Sequence, residues 1–317
     1  MPFICLIYQC RSNIGESIVS IFTYLPDGLR SDTLQKQVEN GQFARGLGEG
    51  IGMIFNYLDP VFAKEIFTIS YGITNTELAM GLGTGLGYIF KYLDEDFKQR
   101  VYLEAENNAQ FAIGLGTGLG SGLPYLPDKS VQEILDHFKR SMQFPRALGF
   151  AIGHVCSFLT EEQRNNIMTS KSPQFAYGLG DGLGHNFSSL KPEIQEQLLK
   201  NAEQSNDFGR GLGKGVAKAF KDLNDEILQR EILIQGVYAN PNSAFAHSLG
   251  MGLGKDFPSL SDEIHQATLK LVENESLFTE GLAIGLHSSF KYLSTDLQQR
   301  ISKVGEHNIH FSSLGVA

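Results

Sequence analysis

Residues 111–126 read FAIGLGTGLGSGLPYL, with glycine at every second position from Gly114 to Gly122. Glycine disfavours the interior of both helices and strands. The run therefore reads as a phosphate-binding loop, a linker, a membrane segment or a packing device, and the choice decides the fold. The stretch recurs along the chain. QFARGLGEGIGMIFNYL closes at Leu58, ELAMGLGTGLGYIFKYL at Leu93, QFPRALGFAIGHVCSFL at Leu159 and QFAYGLGDGLGHNFSSL at Leu190. DFGRGLGKGVAKAFKDL closes at Leu223, AFAHSLGMGLGKDFPSL at Leu260 and LFTEGLAIGLHSSFKYL at Leu293. A weaker copy, CRSNIGESIVSIFTYL, closes at Leu25. Successive closing leucines stand 33, 35, 33, 33, 31, 33, 37 and 33 residues apart. A near-constant period over nine copies is the signature of a repeat array.

The period within each copy separates helix from strand. Phe43, Leu47, Ile51, Ile54 and Leu58 form one apolar stripe at helical spacing, and Phe175, Leu179, Leu183, Phe187 and Leu190 repeat it. As strands, the same segments would present one face of glycine and another mixing Leu with Glu49, Asp181 or Lys214. The spacing predicts Gly-rich helices near 10–25, 43–58, 78–93, 111–126, 144–159, 175–190, 208–223, 245–260 and 278–293. After the closing leucines come LDPVF, LDEDF, LPDKSV, LTEEQ, LKPEI, LNDEI, LSDEI and LSTDL. A capping residue or Pro, then acids, marks the N-terminus of a second, polar helix in each unit.

Four glycines in a helix cost roughly 3–4 kcal/mol against alanine, so packing must offset them. Gly114 and Gly118 share one flank of the Leu stripe, and Gly116 and Gly120 share the other. Small residues one turn apart let backbones approach closely. The expected packing glycines, one per copy, are Gly48, Gly83, Gly116, Gly149, Gly180, Gly213 and Gly250. Tight spacing in the Gly-rich layer and wide spacing in the polar layer predict curvature. The expected fold is all-α: a single domain over 1–317, a strongly curved α-solenoid of about nine two-helix repeats. The Gly-rich helices line its concave side, and the curvature approaches ring closure. The terminal HFSSLGVA opens a further Gly-rich helix. An uncapped end of this kind would meet the first repeat or a second chain.

A two-helix unit of this length resembles the tetratricopeptide class of α-solenoids, and HEAT and armadillo arrays are similar in style. The chain has no Trp, and its FAxGLGxGLGxxFxYL motif differs from the tetratricopeptide pattern. The resemblance lies in architecture over nearly the whole chain, and it implies protein or peptide binding on a concave surface.

Composition narrows the function classes. The formal charge of −9 disfavours general nucleic-acid binding. Three cysteines, Cys5, Cys10 and Cys156, with no CxxC pair point to a reducing, cytoplasmic compartment. MPFICLIYQC lacks the basic segment and cleavage site of a signal peptide. Asn107–Pro127 is uncharged, but its relatives carry Arg45 with Glu49, Asp181, or Arg210 with Lys214, which argues against membrane insertion. The period-two glycines do not spell GxGxxG, and no Walker, HExxH or nucleophile-elbow motif is present, so neither cofactor nor metal is expected.

The face opposite the Leu stripe varies from copy to copy. Its candidate binding column comprises Arg146, His154, Tyr177, Asp181, His185, Arg210, Lys214, Lys218, His247 and Lys255. Arg210, Lys214 and Lys218 form a basic stripe at one-turn spacing, with Lys255 and His247 in the next copy, suited to an anion or acidic peptide. His154, His185 and Asp181 make a sparse metal-type constellation, and Cys156 and His154 point to different sides of a helix. The leading expectation is a non-enzymatic scaffold or adaptor for a protein or peptide partner. The alternatives are a self-assembling ring or stack and, with less support, an enzyme on a helical toroid.

Overall fold

A computed structural model describes residues 41–59, 66, 76–137, 143–156, 159, 163, 164, 167, 172–220, 229, 232–238, 240, 241, 243–273, 276–305 and 308–312. Among these the chain is helical throughout, without a strand. None of the described helices is long and apolar enough to cross a membrane. The Gly-rich segment expected near 10–25 lies outside the described residues, as does most of the polar helices expected after Leu58, Leu159 and Leu223. Two compact units divide the chain, Met1–Phe175 and Ala176–Ala317.

In unit 1, four Gly-rich helices pack side by side in chain order: α1 (Gly41–Met53), α2 (Thr76–Ile89), α4 (Ala109–Gly122) and α6 (Gln143–Val155). Two polar helices alternate with them, α3 (Glu95–Asn107), which packs on α4, and α5 (Asp128–Asp136). Leu47, Leu86, Leu115, Leu119 and Leu148 of the apolar stripe are fully buried. The glycines decide how closely the helices approach. A Cβ built on Gly118 would fall against the Thr84 carbonyl oxygen, 2.9 Å from the Gly87 Cα, both on α2. One built on Gly116 would stand 2.6 Å from the Leu148 nitrogen of α6. Alternate glycines thus meet opposite neighbours, at distances no real side chain tolerates.

Unit 2 repeats the scheme. Its Gly-rich helices are α7 (Pro173–His185, in this unit from Ala176), α9 (Asn206–Phe220), α10 (Ala244–Asp256) and α12 (Leu277–Ser289). Gly184 faces α9, where a Cβ would lie 2.6 Å from the Leu212 oxygen. Gly213 faces α10 at 3.0 Å from the Leu249 nitrogen, and Gly250 faces α12 at 3.0 Å from the Leu282 nitrogen. The polar helices are α8 (Pro192–Gln204), α11 (Asp262–Lys270) and α13 (Thr295–Gly305). A last turn, α14 (Ile309–Ser312), packs on α12 and α13 with Phe311 buried.

The Gly-rich helices stop short of their closing leucines. Among the described residues the final turn is a 3-10 helix in six copies: Phe55–Tyr57, Phe90–Tyr92, Leu123–Tyr125, Phe187–Ser189, Phe257–Ser259 and Phe290–Tyr292. The closing leucine is then extended, as at Leu58 with φ −77° and ψ 149°. At three residues per turn, the first residue of the 3-10 turn and the closing leucine fall on the same side. Phe55, Leu58, Phe90 and Leu93 are accordingly all buried. The extended leucine hands the chain straight to the next helix cap, where Asp94 Oδ1 accepts from the Phe97 N–H at 2.8 Å. The Gly-rich helices carry their own caps. Asn108 accepts from the Phe111 N–H at 3.1 Å, and Ser243 from the Ala246 N–H at 3.1 Å.

A side chain five residues past the closing leucine clamps each of several 3-10 turns. Gln195 Nε2 donates to the Phe187 carbonyl at 2.7 Å, His265 Nε2 to Phe257 at 2.7 Å, and Gln298 Nε2 to Phe290 at 3.0 Å. Each of these carbonyls also accepts the N–H of its closing leucine, so the side chain supplies a second donor to the same oxygen. The clamp also ties each polar helix to the Gly-rich helix before it.

Candidate functional site

The variable column is carried on the Gly-rich helices, and its members are presented differently. On α6, Arg146 and His154 are exposed, and the His154 ring meets Phe150 edge-on at 4.6 Å. On α9, Arg210 and Lys218 are exposed, as is Lys255 on α10, while His247 is half-buried. Lys214, at the middle of the basic stripe, is engaged. Its ammonium makes an ion pair with Asp181 of α7 and sits 5.5 Å above the Tyr177 ring. The Asp181 side chain is only 5% exposed. His185 Nδ1–H donates to the Asp181 carbonyl oxygen at 2.8 Å and lies 3.4 Å from Asp181 Oδ1.

Asp181 and Lys214 hold the same place in neighbouring copies, the x of GLGxGLG. These two side chains therefore touch across the helix stack. The three-residue basic stripe read from sequence becomes two exposed cations, Arg210 and Lys218, flanking an internal ion pair. This local arrangement joins Tyr177, Asp181, His185 and Lys214 in one cluster, which buries most of its charge and offers little to a ligand. His154 lies in the other unit. Among the described residues, no group of three or more His, Cys, Asp or Glu is placed to hold a metal ion. Burial pushes the half-buried Cys156 thiol up, against a weaker opposing pull from Arg164. Such a thiol is a poor nucleophile at neutral pH.

Two further features carried no sequence signal of their own. A cleft of about 250 Å³ opens between α3 and α5, lined in part by Phe90, Glu95, Lys98, Tyr102, Glu133 and His137. Tyr102 stacks on His137 at 4.3 Å, and its hydroxyl is held well above the usual tyrosine range by burial, then by the charges of Glu133 and Glu95. Lys98 already supplies a cation, 2.6 Å from Glu95 and 5.9 Å from the Phe90 ring centre. The second feature is a set of exposed tyrosines at the ends of the 3-10 turns: Tyr57, Tyr92, Tyr125 and Tyr292.

No family model matches the sequence, and comparison with curated proteins and with solved structures returns no similar chain.

Proposed function

We propose that the chain is a cytoplasmic, non-enzymatic scaffold that binds an acidic segment of a protein or peptide. Its frame is a strongly curved α-solenoid with the Gly-rich helices on the concave side. Two observations support that shape. Neighbouring Gly-rich helices touch backbone to backbone, whereas the polar helices carry bulky side chains that demand ordinary spacing. A layer that is narrow on one side and wide on the other bends toward the narrow side.

The observation that carries the binding reading is the exposed set Arg210, Lys218 and Lys255 on adjacent helices of a chain with formal charge −9. Cations that hold position on rigid, stacked helices recognise carboxylates without paying for loop ordering. Arg146 on α6 offers the same chemistry in unit 1. The test is a fluorescent poly-Glu peptide titrated against the native chain and the Arg210→Ala/Lys218→Ala variant. The native chain binds in a salt-sensitive manner, and the variant loses about tenfold in affinity. Unchanged affinity in the variant would move the site elsewhere. Lys214 is left out of this variant because its charge belongs to Asp181.

A further inference from the structure

We infer that the row Tyr57–Tyr92–Tyr125 in unit 1 is a docking edge for an arginine-rich segment of a partner protein, separate from the cationic column above. The three tyrosines are 83%, 66% and 76% exposed. Each is the last residue of a 3-10 turn, between a buried Phe or Leu that opens the turn and the buried closing Leu. The turn geometry throws this position into solvent, so packing does not require an aromatic there. Two of the three described turns of unit 2 show as much, because Ser189 and Ser259 hold the equivalent place and are also exposed, while Tyr292 holds it in the third.

The rings share one edge of a continuous stack. Helices α1, α2 and α4 are neighbours in order, and Asn56 Nδ2 in the first turn donates to the Tyr92 carbonyl in the second at 3.3 Å. The residues that follow Leu93 and Leu126 begin new helices, and acids stand there at the helix N-termini, Asp94 as a cap. Exposed Asp59, Asp94 and Asp96 follow Tyr57 and Tyr92 within two to four residues of the chain. Exposed carboxylates close in the chain to exposed aromatic rings repel phosphate, which disfavours nucleic acid, and attract cations. The molecule already gives an example, since Lys91 Nζ sits 4.7 Å over the Tyr92 ring centre. Guanidinium suits such an edge better than ammonium, because it is planar, weakly hydrated and able to stack and hydrogen-bond at once. Helices packed this closely are at most about 8–10 Å apart, which two to three extended residues span. The matching segment carries an arginine at every second or third position.

The test uses the full chain and a labelled twelve-residue peptide with Arg at every third position, separated by Gly and Ser. A Lys-for-Arg peptide of equal charge serves as the control, and anisotropy is read at physiological ionic strength. The Arg peptide binds at least tenfold more tightly than the Lys peptide. Tyr57→Ser/Tyr92→Ser/Tyr125→Ser, which installs the residue found at this place in the turns ending at Ser189 and Ser259, removes that preference and leaves the thermal unfolding midpoint unchanged. Lys91→Ser uncovers a ring and strengthens Arg-peptide binding. The column variant Arg210→Ala/Lys218→Ala binds the Arg peptide as the native chain does, so failure of either surface leaves the other standing. Absence of binding, equal affinity for the Arg and Lys peptides, or undiminished binding by the triple variant would each overturn the inference. So would preference for a single-stranded RNA oligomer.

Discussion

Asp181 shows how a repeat array changes the meaning of a side chain. Its position along the chain places it on a variable outer face, yet its carboxylate is nearly inaccessible because the same place in the next copy holds Lys214. Lys214→Met leaves that carboxylate buried without its cation and should cost about 1–3 kcal/mol, less than a fully buried pair because Lys214 retains contact with water. Asp181→Asn added to Lys214→Met should recover most of the loss, measured by urea unfolding. An equal loss in both would remove the ion pair from the reasons for stability. Tyr102 carries a different consequence. Its folded hydroxyl is raised above the ordinary value of 10.0, so the fold prefers the neutral form. That preference is harmless below pH 10 and becomes a penalty as pH rises beyond it, because only the unfolded chain ionises freely. Tyr102→Phe should therefore gain up to about 1 kcal/mol relative to the native chain between pH 8 and pH 11. Parallel pH profiles for the two proteins would refute it.

At the scale of the element, the copies described throughout, such as those closing at Leu93, Leu190, Leu260 and Leu293, join a Gly-rich α-helix, a 3-10 turn, an extended leucine and a polar helix. The helix periods and the polar caps after each leucine are visible in the sequence, and Asp94, Ser261 and Ser294 do cap as their residue types suggest. The 3-10 turn was not visible. Phe and Leu three residues apart satisfy both a continuing α-helix and a tighter turn, and only the packing distinguishes them. The clamp from Gln195, His265 and Gln298 follows from that turn, so it was hidden for the same reason, although LKPEIQ, LSDEIH and LSTDLQ display it in register. Gln195→Leu leaves the Phe187 carbonyl with the Leu190 N–H alone and should cost about 0.5–1 kcal/mol in chemical denaturation. A neutral effect would mean that water serves the carbonyl equally well.

At the scale of the molecule, the all-helical fold was legible because, within each unit, the described Gly-rich helices pack on one another. The column was legible as a list of positions but not as a surface. Contacts such as Asp181 with Lys214 arise between residues 33 apart in sequence, and comparing neighbouring copies place by place is what reveals them. The tyrosine row was similarly hidden, since FxYL gives no hint that Tyr points outward while its neighbours are buried. The glycines remain the feature on which all else depends, and one helix contains both the test and its control. In α4, a Cβ on Gly118 would strike the backbone of α2, whereas one on Gly122 would meet nothing nearer than the Gly87 oxygen at 3.8 Å. Alanine gains about 1 kcal/mol of helix propensity at either place, but overpacking at Gly118 costs several times that in rigid backbone. Thermal unfolding of Gly118→Ala and Gly122→Ala is the decisive measurement. Glycine as a backbone contact surface predicts a midpoint lowered by several degrees for Gly118→Ala and unchanged or raised for Gly122→Ala. Equal stabilisation by both substitutions would contradict it.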